Sequence, residues 1–138
     1  MDREVIEQKL ESLRSCIQRI QDKCPPSAEI LTNDLDLQDI LSLNLSRAIQ
    51  LCVDIGVHIV AGKNVPPPST MGRTFDALAE LGVIAPDLVK RVKNAVDFRN
   101  IAVHNYESIN WHIVHAIATR NISDFIDFAQ VVMENGGL

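Results

Sequence analysis

Between residues 4 and 22 the apolar side chains Ile6, Leu10, Leu13, Ile17 and Ile20 recur at intervals of four, three, four and three. A helix gathers such positions into one stripe, whereas a strand would scatter them over both faces. An amphipathic helix cannot bury its stripe alone, so this segment commits the chain to packing helix on helix. Cys24-Pro25-Pro26 closes the segment, because proline lacks the amide a helix needs and restrains the residue before it.

The remaining segments follow the same period. A longer helix is predicted over about 34–61, with Thr32, Asn33 and Asp34 offering capping oxygens. It carries one stripe of Leu41, Leu45, Ala48, Cys52, Ile55 and Ile59, and a second of Ile49, Val53 and Val60. A helix apolar on two sides is covered on two sides, here by its own domain and by a second subunit. Gly62 is a stop signal, and Pro66-Pro67-Pro68-Ser69 a stiff connector. Thr70 caps a third helix through about Leu81 and Gly82 ends it. Pro86 opens a fourth that runs to about Val103. The fifth spans 109–134, before an Asn-Gly-Gly-Leu tail. The pattern predicts an all-α antiparallel bundle of about five helices forming one domain over residues 1–138.

Composition narrows the class. A chain of 138 residues with 46% hydrophobic side chains can bury a core without disulfides or metals. Cys16, Cys24 and Cys52 are odd in number and lack metal-type spacing, which suits a reducing, cytoplasmic setting. The charged start MDREVIEQKLESL has no signal-peptide core, and no uninterrupted apolar run is long enough to expect a membrane span. A net charge of −5 argues against a general polyanion binder, although a local basic patch can oppose the global sign. His112 and His115 fall on the polar side of the last helix without a carboxylate or cysteine at ligand spacing, so no metal site is expected. Asp54 and His58, four apart, read as a local hydrogen-bonded pair.

One position breaks the pattern. On the wheel of the fourth helix, Leu88, Val92, Ala95, Val96, Ala102 and Val103 share a side, and Arg99 lies near its middle. A guanidinium cannot shed its proton, so it needs compensation there. Asp54 could pair with it, a ligand's phosphate could, or the residue could line a cleft between subunits. Five positions on, His104 would point about 140° away on a straight helix. Either the helix ends between the two and turns His104 back, or a second copy completes the pair; Asn105, Glu107 and Ser108 mark a helix end nearby. Metal-free RNA cleavage needs these residue types. The substrate's 2′-hydroxyl attacks, a base takes its proton, an acid supplies the leaving 5′-oxygen, and a cation holds the phosphorane. Histidine is the usual proton carrier near neutrality, and arginine's fork matches phosphate.

Arg99-Asn100-Ile101-Ala102-Val103-His104-Asn105-Tyr106 has the R-x4-H-x-Y form of the HEPN R-x4-6-H motif. With Pro-Pro-Ser-Thr-Met-Gly-Arg-Thr-Phe before the third helix and Leu-Gly-Val-Ile-Ala-Pro after it, nearly the whole chain resembles the HepT-like branch of HEPN proteins. That resemblance implies a homodimer with the two motifs meeting in a cleft at the two-fold axis. It implies a ribonuclease toxin that needs no cofactor, neutralised by a minimal nucleotidyltransferase antitoxin that adds AMP to the motif tyrosine. On this footing Arg99 and His104 are catalytic, Asn100 supports them, and Tyr106 is the modification site. Lys90, Arg91, Lys93 and Arg73 are candidate contacts to the RNA backbone, with Arg120 behind them. Two further readings stand beside this one: a non-catalytic HEPN module that binds nucleotide or substrate for a nucleotidyltransferase, and a structural helical dimer that leaves Arg99 unexplained.

Overall fold

The computed structural model describes residues 3–135, and the Gly-Gly-Leu end of the tail lies outside them. The first stripe forms α1, Arg3–Lys23, with Ile6, Leu10, Leu13, Ile17 and Ile20 all buried. The long apolar segment forms α3, Leu35–Ala61, whose N-cap Asp34 accepts the Leu37 amide at 3.0 Å. Between them lies a short helix absent from the sequence reading, α2, Ala28–Thr32, capped by Ser27. Its five residues are too few to display a period. Thr70 caps α4, Met71–Glu80. Gly82, at φ +76°, then turns the chain in the left-handed region that favours glycine. Pro86 opens α5, Pro86–His104.

The expected fifth helix is two helices. After a 3-10 turn at Tyr106–Ser108 come α6, Trp111–Thr119, and α7, Ile122–Asn135. The described residues therefore hold seven α-helices rather than five, and no strand. The break falls at Thr119-Arg120-Asn121-Ile122-Ser123, where short polar side chains compete for backbone hydrogen bonds without a proline or glycine to announce it. Thr119 Oγ1 donates to the His115 carbonyl at 2.8 Å, and the Asn121 amide reaches the carbonyls of Ala116 and Ile117. The bend lets α6 lie mainly against α2 while α7 packs on α1, α3 and α5.

Helix α3 is the axis of the bundle and touches each of the other six. Leu41, Leu45, Ala48, Cys52, Ile55 and Ile59 are buried, and so are Ile49, Val53 and Val60. Both stripes are thus covered within one chain, and neither is left for a second subunit as the sequence reading had supposed. The same helix is long and apolar enough to cross a membrane, with a mean hydropathy of 1.4 over its most apolar window. Of that window 56% is buried by the surrounding helices, as befits a core helix. Each fully buried Leu or Ile contributes roughly 1.5–3 kcal/mol. The aromatic contribution is local, an edge-to-face pair between Phe75 of α4 and Phe128 of α7 at 5.8 Å. Burial pushes the thiols of Cys16, Cys24 and Cys52 above their ordinary values, so they act as neutral packing groups.

Helix α4 approaches α3 at Gly56, where a Cβ would stand 2.7 Å from Thr74 Cγ2 and 3.1 Å from Leu78 Cδ1. Since Thr74 and Leu78 are themselves buried, they have little room to yield. Gly56→Ala should cost about 1–3 kcal/mol despite alanine's better helix propensity, read as a lower urea midpoint with unchanged slope. A stabilised variant would show that α4 can shift away freely.

Candidate functional site

Helix α5 carries the site along its C-terminal half. Arg99 is half-buried, and among the described residues no acid lies within 4 Å of it. Asp54, the candidate mate, is engaged elsewhere: it accepts from Gln50 Nε2 at 2.9 Å and lies 3.8 Å from Lys9 Nζ. These same contacts replace the expected pairing with His58. The guanidinium instead borders a groove of about 860 Å³ between α5 and the first turn of α4.

That groove also collects Asn100 and His104, with Lys90, Lys93 and Asp97, under a wall of Thr70, Met71 and Gly72. The helix does not end between Arg99 and His104; it runs through His104 and closes when the Asn105 amide bonds the Ile101 carbonyl at 2.8 Å. Relative to Arg99, Asn100 lies about 100° round the helix and His104 about 140°. The arginine and the histidine therefore flank the groove, with Asn100 between them. Its lining holds three permanent cations, Lys90, Lys93 and Arg99, against one acid, Asp97. This is a basic patch on a chain of net charge −5. Lys93 shares its charge with Asp76 of α4, at 3.0 and 3.2 Å from the two carboxylate oxygens.

Ile101 and Val103, expected in part on the apolar side, stand 44% and 52% exposed beside His104. An apolar surface next to the site is thus left open by the chain itself. Just beyond, Tyr106 Oη donates to Asp39 Oδ1 of α3 at 2.8 Å, and its ring meets Trp111 of α6 edge-on at 5.8 Å. Partial burial pushes the Tyr106 phenol above its ordinary value; the Asp39 carboxylate adds to the push and Ser42 opposes it. Asp39 and Trp111 escaped the sequence reading. Asp39 looks like any solvent-face residue of a helix, and only the fold brings it to a tyrosine 67 positions away.

Other expected site residues lie apart from the groove. Arg91 projects to the opposite flank of α5, where it bonds Asp124 at 2.8 Å, Asp127 at 3.0 Å and Asp87 at 3.2 Å. Arg73 is exposed on α4 outside the groove lining, and Arg120 caps the end of α6. His115 donates from Nε2 to the Pro25 carbonyl at 2.8 Å and ties α6 to the loop before α2. Among the described residues no three His, Cys, Asp or Glu side chains gather as metal ligands.

Known proteins share this fold. The chain is 33% identical over 129 residues to the mRNA nuclease HepT of Shewanella oneidensis, covering 94% of this chain and 96% of that protein. It superposes with a TM-score of 0.89 and 31% identity on a toxin–antitoxin crystal structure with AMP-PNP, over 95% of this chain and 98% of that one. With a TM-score of 0.88 and 32% identity it matches the tri-AMPylated Shewanella oneidensis HEPN toxin in complex with MNT antitoxin, over 97% and 99% of the two chains. A seven-helix bundle of this shape, with an R-x4-H segment closing its fifth helix, is a HEPN fold. Within that class the chain belongs to the ribonuclease HepT-like family, whose profile matches residues 7–132.

Proposed function

We propose that this chain is a one-domain, cytoplasmic toxin: a homodimeric, metal-independent endoribonuclease held in check by a nucleotidyltransferase antitoxin. The observation that carries the reading is the half-buried Arg99, unpaired by any acid among the described residues, on a basic groove that also holds His104. A phosphodiester supplies the missing counter-charge. Arg99 forks onto its non-bridging oxygens and stabilises the phosphorane as charge builds. His104 serves as one of the two proton carriers, at the 2′-hydroxyl or at the leaving 5′-oxygen, and Asn100, between Arg99 and His104, orients the phosphate by hydrogen bonding. Lys90 and Lys93 guide the backbone within the groove, and Arg73, exposed on α4 outside its lining, meets the strand beyond it.

One groove has a single histidine, yet the reaction needs both a base and an acid. A second copy supplies the other, and the exposed Ile101 and Val103 give the two chains an apolar surface beside His104 on which to meet. The related proteins carry the biological setting: one is an mRNA nuclease, and another is a tri-AMPylated toxin bound to an MNT antitoxin. Tyr106, the exposed tyrosine two residues past His104, is the place for that modification. Added phosphates and bulk there repel RNA from the groove.

The test is to incubate the purified protein with RNA in EDTA and to analyse the ends. Cleavage persists, and the fragments carry 2′,3′-cyclic phosphate and 5′-hydroxyl. Activity lost on chelation and restored by magnesium would remove the metal-free mechanism. Stoichiometric RNA binding without any cut would leave a binding module.

A further inference from the structure

The bond between Tyr106 and Asp39 joins the 3-10 turn to the central helix, and the ribonuclease chemistry has no use for it. We propose that Asp39 is a catalytic residue in the adenylylation of this chain: it takes the phenolic proton as Tyr106 Oη attacks the α-phosphorus of a nucleoside triphosphate. The inference rests on the reading of Tyr106 as the modified residue. The nucleotide is presented by the nucleotidyltransferase partner, but the base belongs to the toxin.

A protonated phenol is a poor nucleophile, so its proton must leave as the new bond forms. The groups that face the hydroxyl are Asp39 and Ser42 of α3, with the Trp111 ring of α6 against the phenol's flank. Of these only Asp39 is basic. At 2.8 Å its Oδ1 sits where a general base must sit, and it already accepts the hydrogen bond made by the proton that has to move. Trp111 steadies the ring, while the phenol remains 42% exposed and open to an incoming nucleotide. The balance is simple. The Oη–Pα bond forms, the bond from Pα to the β-phosphate oxygen breaks, pyrophosphate departs, and Asp39 holds the proton until water removes it. Afterwards Oη has no hydrogen to donate, and a phosphodiester stands beside the carboxylate. The two anions repel, which releases the turn from α3 and opposes its return.

The proposal separates the first AMP from any later ones. A related toxin is tri-AMPylated; where further units follow the first on the same tyrosine, they grow from ribose hydroxyls of the preceding nucleotide, out of reach of Asp39. The experiment follows intact mass over time for this chain mixed with its nucleotidyltransferase and magnesium ATP, between about pH 6.5 and 9. Asp39→Asn keeps size and an acceptor oxygen but is not basic. Its first transfer should slow by about a hundredfold or more. Its rate should then climb about tenfold per pH unit as bulk base replaces the carboxylate, while the unaltered chain changes little above pH 7. Asp39→Glu should recover part of the rate, and conversion of singly to triply modified chains should be unaltered. An Asp39→Asn chain modified at the normal rate with a flat pH profile overturns the role of Asp39 and leaves Tyr106 in place. Equal AMP uptake by Tyr106→Phe removes the modification site itself, and Asp39 falls with it. Asp39 is exposed, and an unchanged circular-dichroism melt of the Asn variant excludes misfolding as the cause of a slow transfer.

Discussion

Replacing His104 with Ala lowers RNA cleavage by about 10²–10⁴-fold, the usual worth of a positioned proton carrier, and Arg99→Ala costs about 10²–10³-fold. Arg99→Lys recovers little, because an ammonium keeps the charge and loses the planar fork. The side chains at both positions leave the core untouched: His104 is exposed and Arg99 half-buried at a groove, so melting temperatures should hold. The more telling experiment mixes unaltered chains with His104→Ala chains. If the base and the acid are the histidines of two copies, a heterodimer of the two lacks one of them and cleaves about as slowly as the His104→Ala homodimer. If each chain works alone, the unaltered chain in the heterodimer keeps its full share of the activity. Growth arrest on expression follows the same order and gives a second readout. Full toxicity with His104→Ala would strike that imidazole from the mechanism.

Much of this was legible before the fold was known, for reasons particular residues show. The stripe of Ile6, Leu10, Leu13, Ile17 and Ile20 specified α1, and Asp34, Thr70 and Pro86 marked the starts of α3, α4 and α5 because caps and first-turn prolines act locally. Arg99 stood out as a cation on an apolar face, and the structure gives that cation an open groove. What failed were inferences that needed the third dimension. The second stripe of α3 looked unpartnered only because a sequence does not show that six other helices surround it. The α6–α7 break depends on where two packing surfaces lie, and its local signal, Thr119 to Ser123, resembles an ordinary polar stretch. A carboxylate 67 residues from its tyrosine leaves no periodicity to find. Arg91 fell into a basic cluster on paper with Lys90 and Lys93, but one position on a helix is about 100° of rotation, enough to turn it to the other flank.

That rotation sets opposite expectations for neighbouring residues. Arg91 binds three carboxylates, and Asp124 among them is 8% exposed, so removing the guanidinium strands a buried anion. Breaking a fully buried pair costs about 3–5 kcal/mol, but the Arg91 side chain is 34% exposed and water screens part of the loss. Arg91→Met should therefore destabilise by about 2 kcal/mol, seen as a fall in melting temperature of roughly 5–10 °C for a chain of this size. The double variant Arg91→Met with Asp124→Leu should lose less than the two single losses combined, because no lone charge remains buried. Lys90, exposed at the groove, should behave the other way. Lys90→Ala keeps its melting temperature but weakens RNA binding and flattens its salt dependence by about one unit of log–log slope, the mark of one lost phosphate contact. If Arg91→Met instead kept its stability and flattened that slope, the ion cluster would be dispensable and Arg91 would belong to the RNA surface. The salt slope and the melt together decide which flank of α5 faces the substrate.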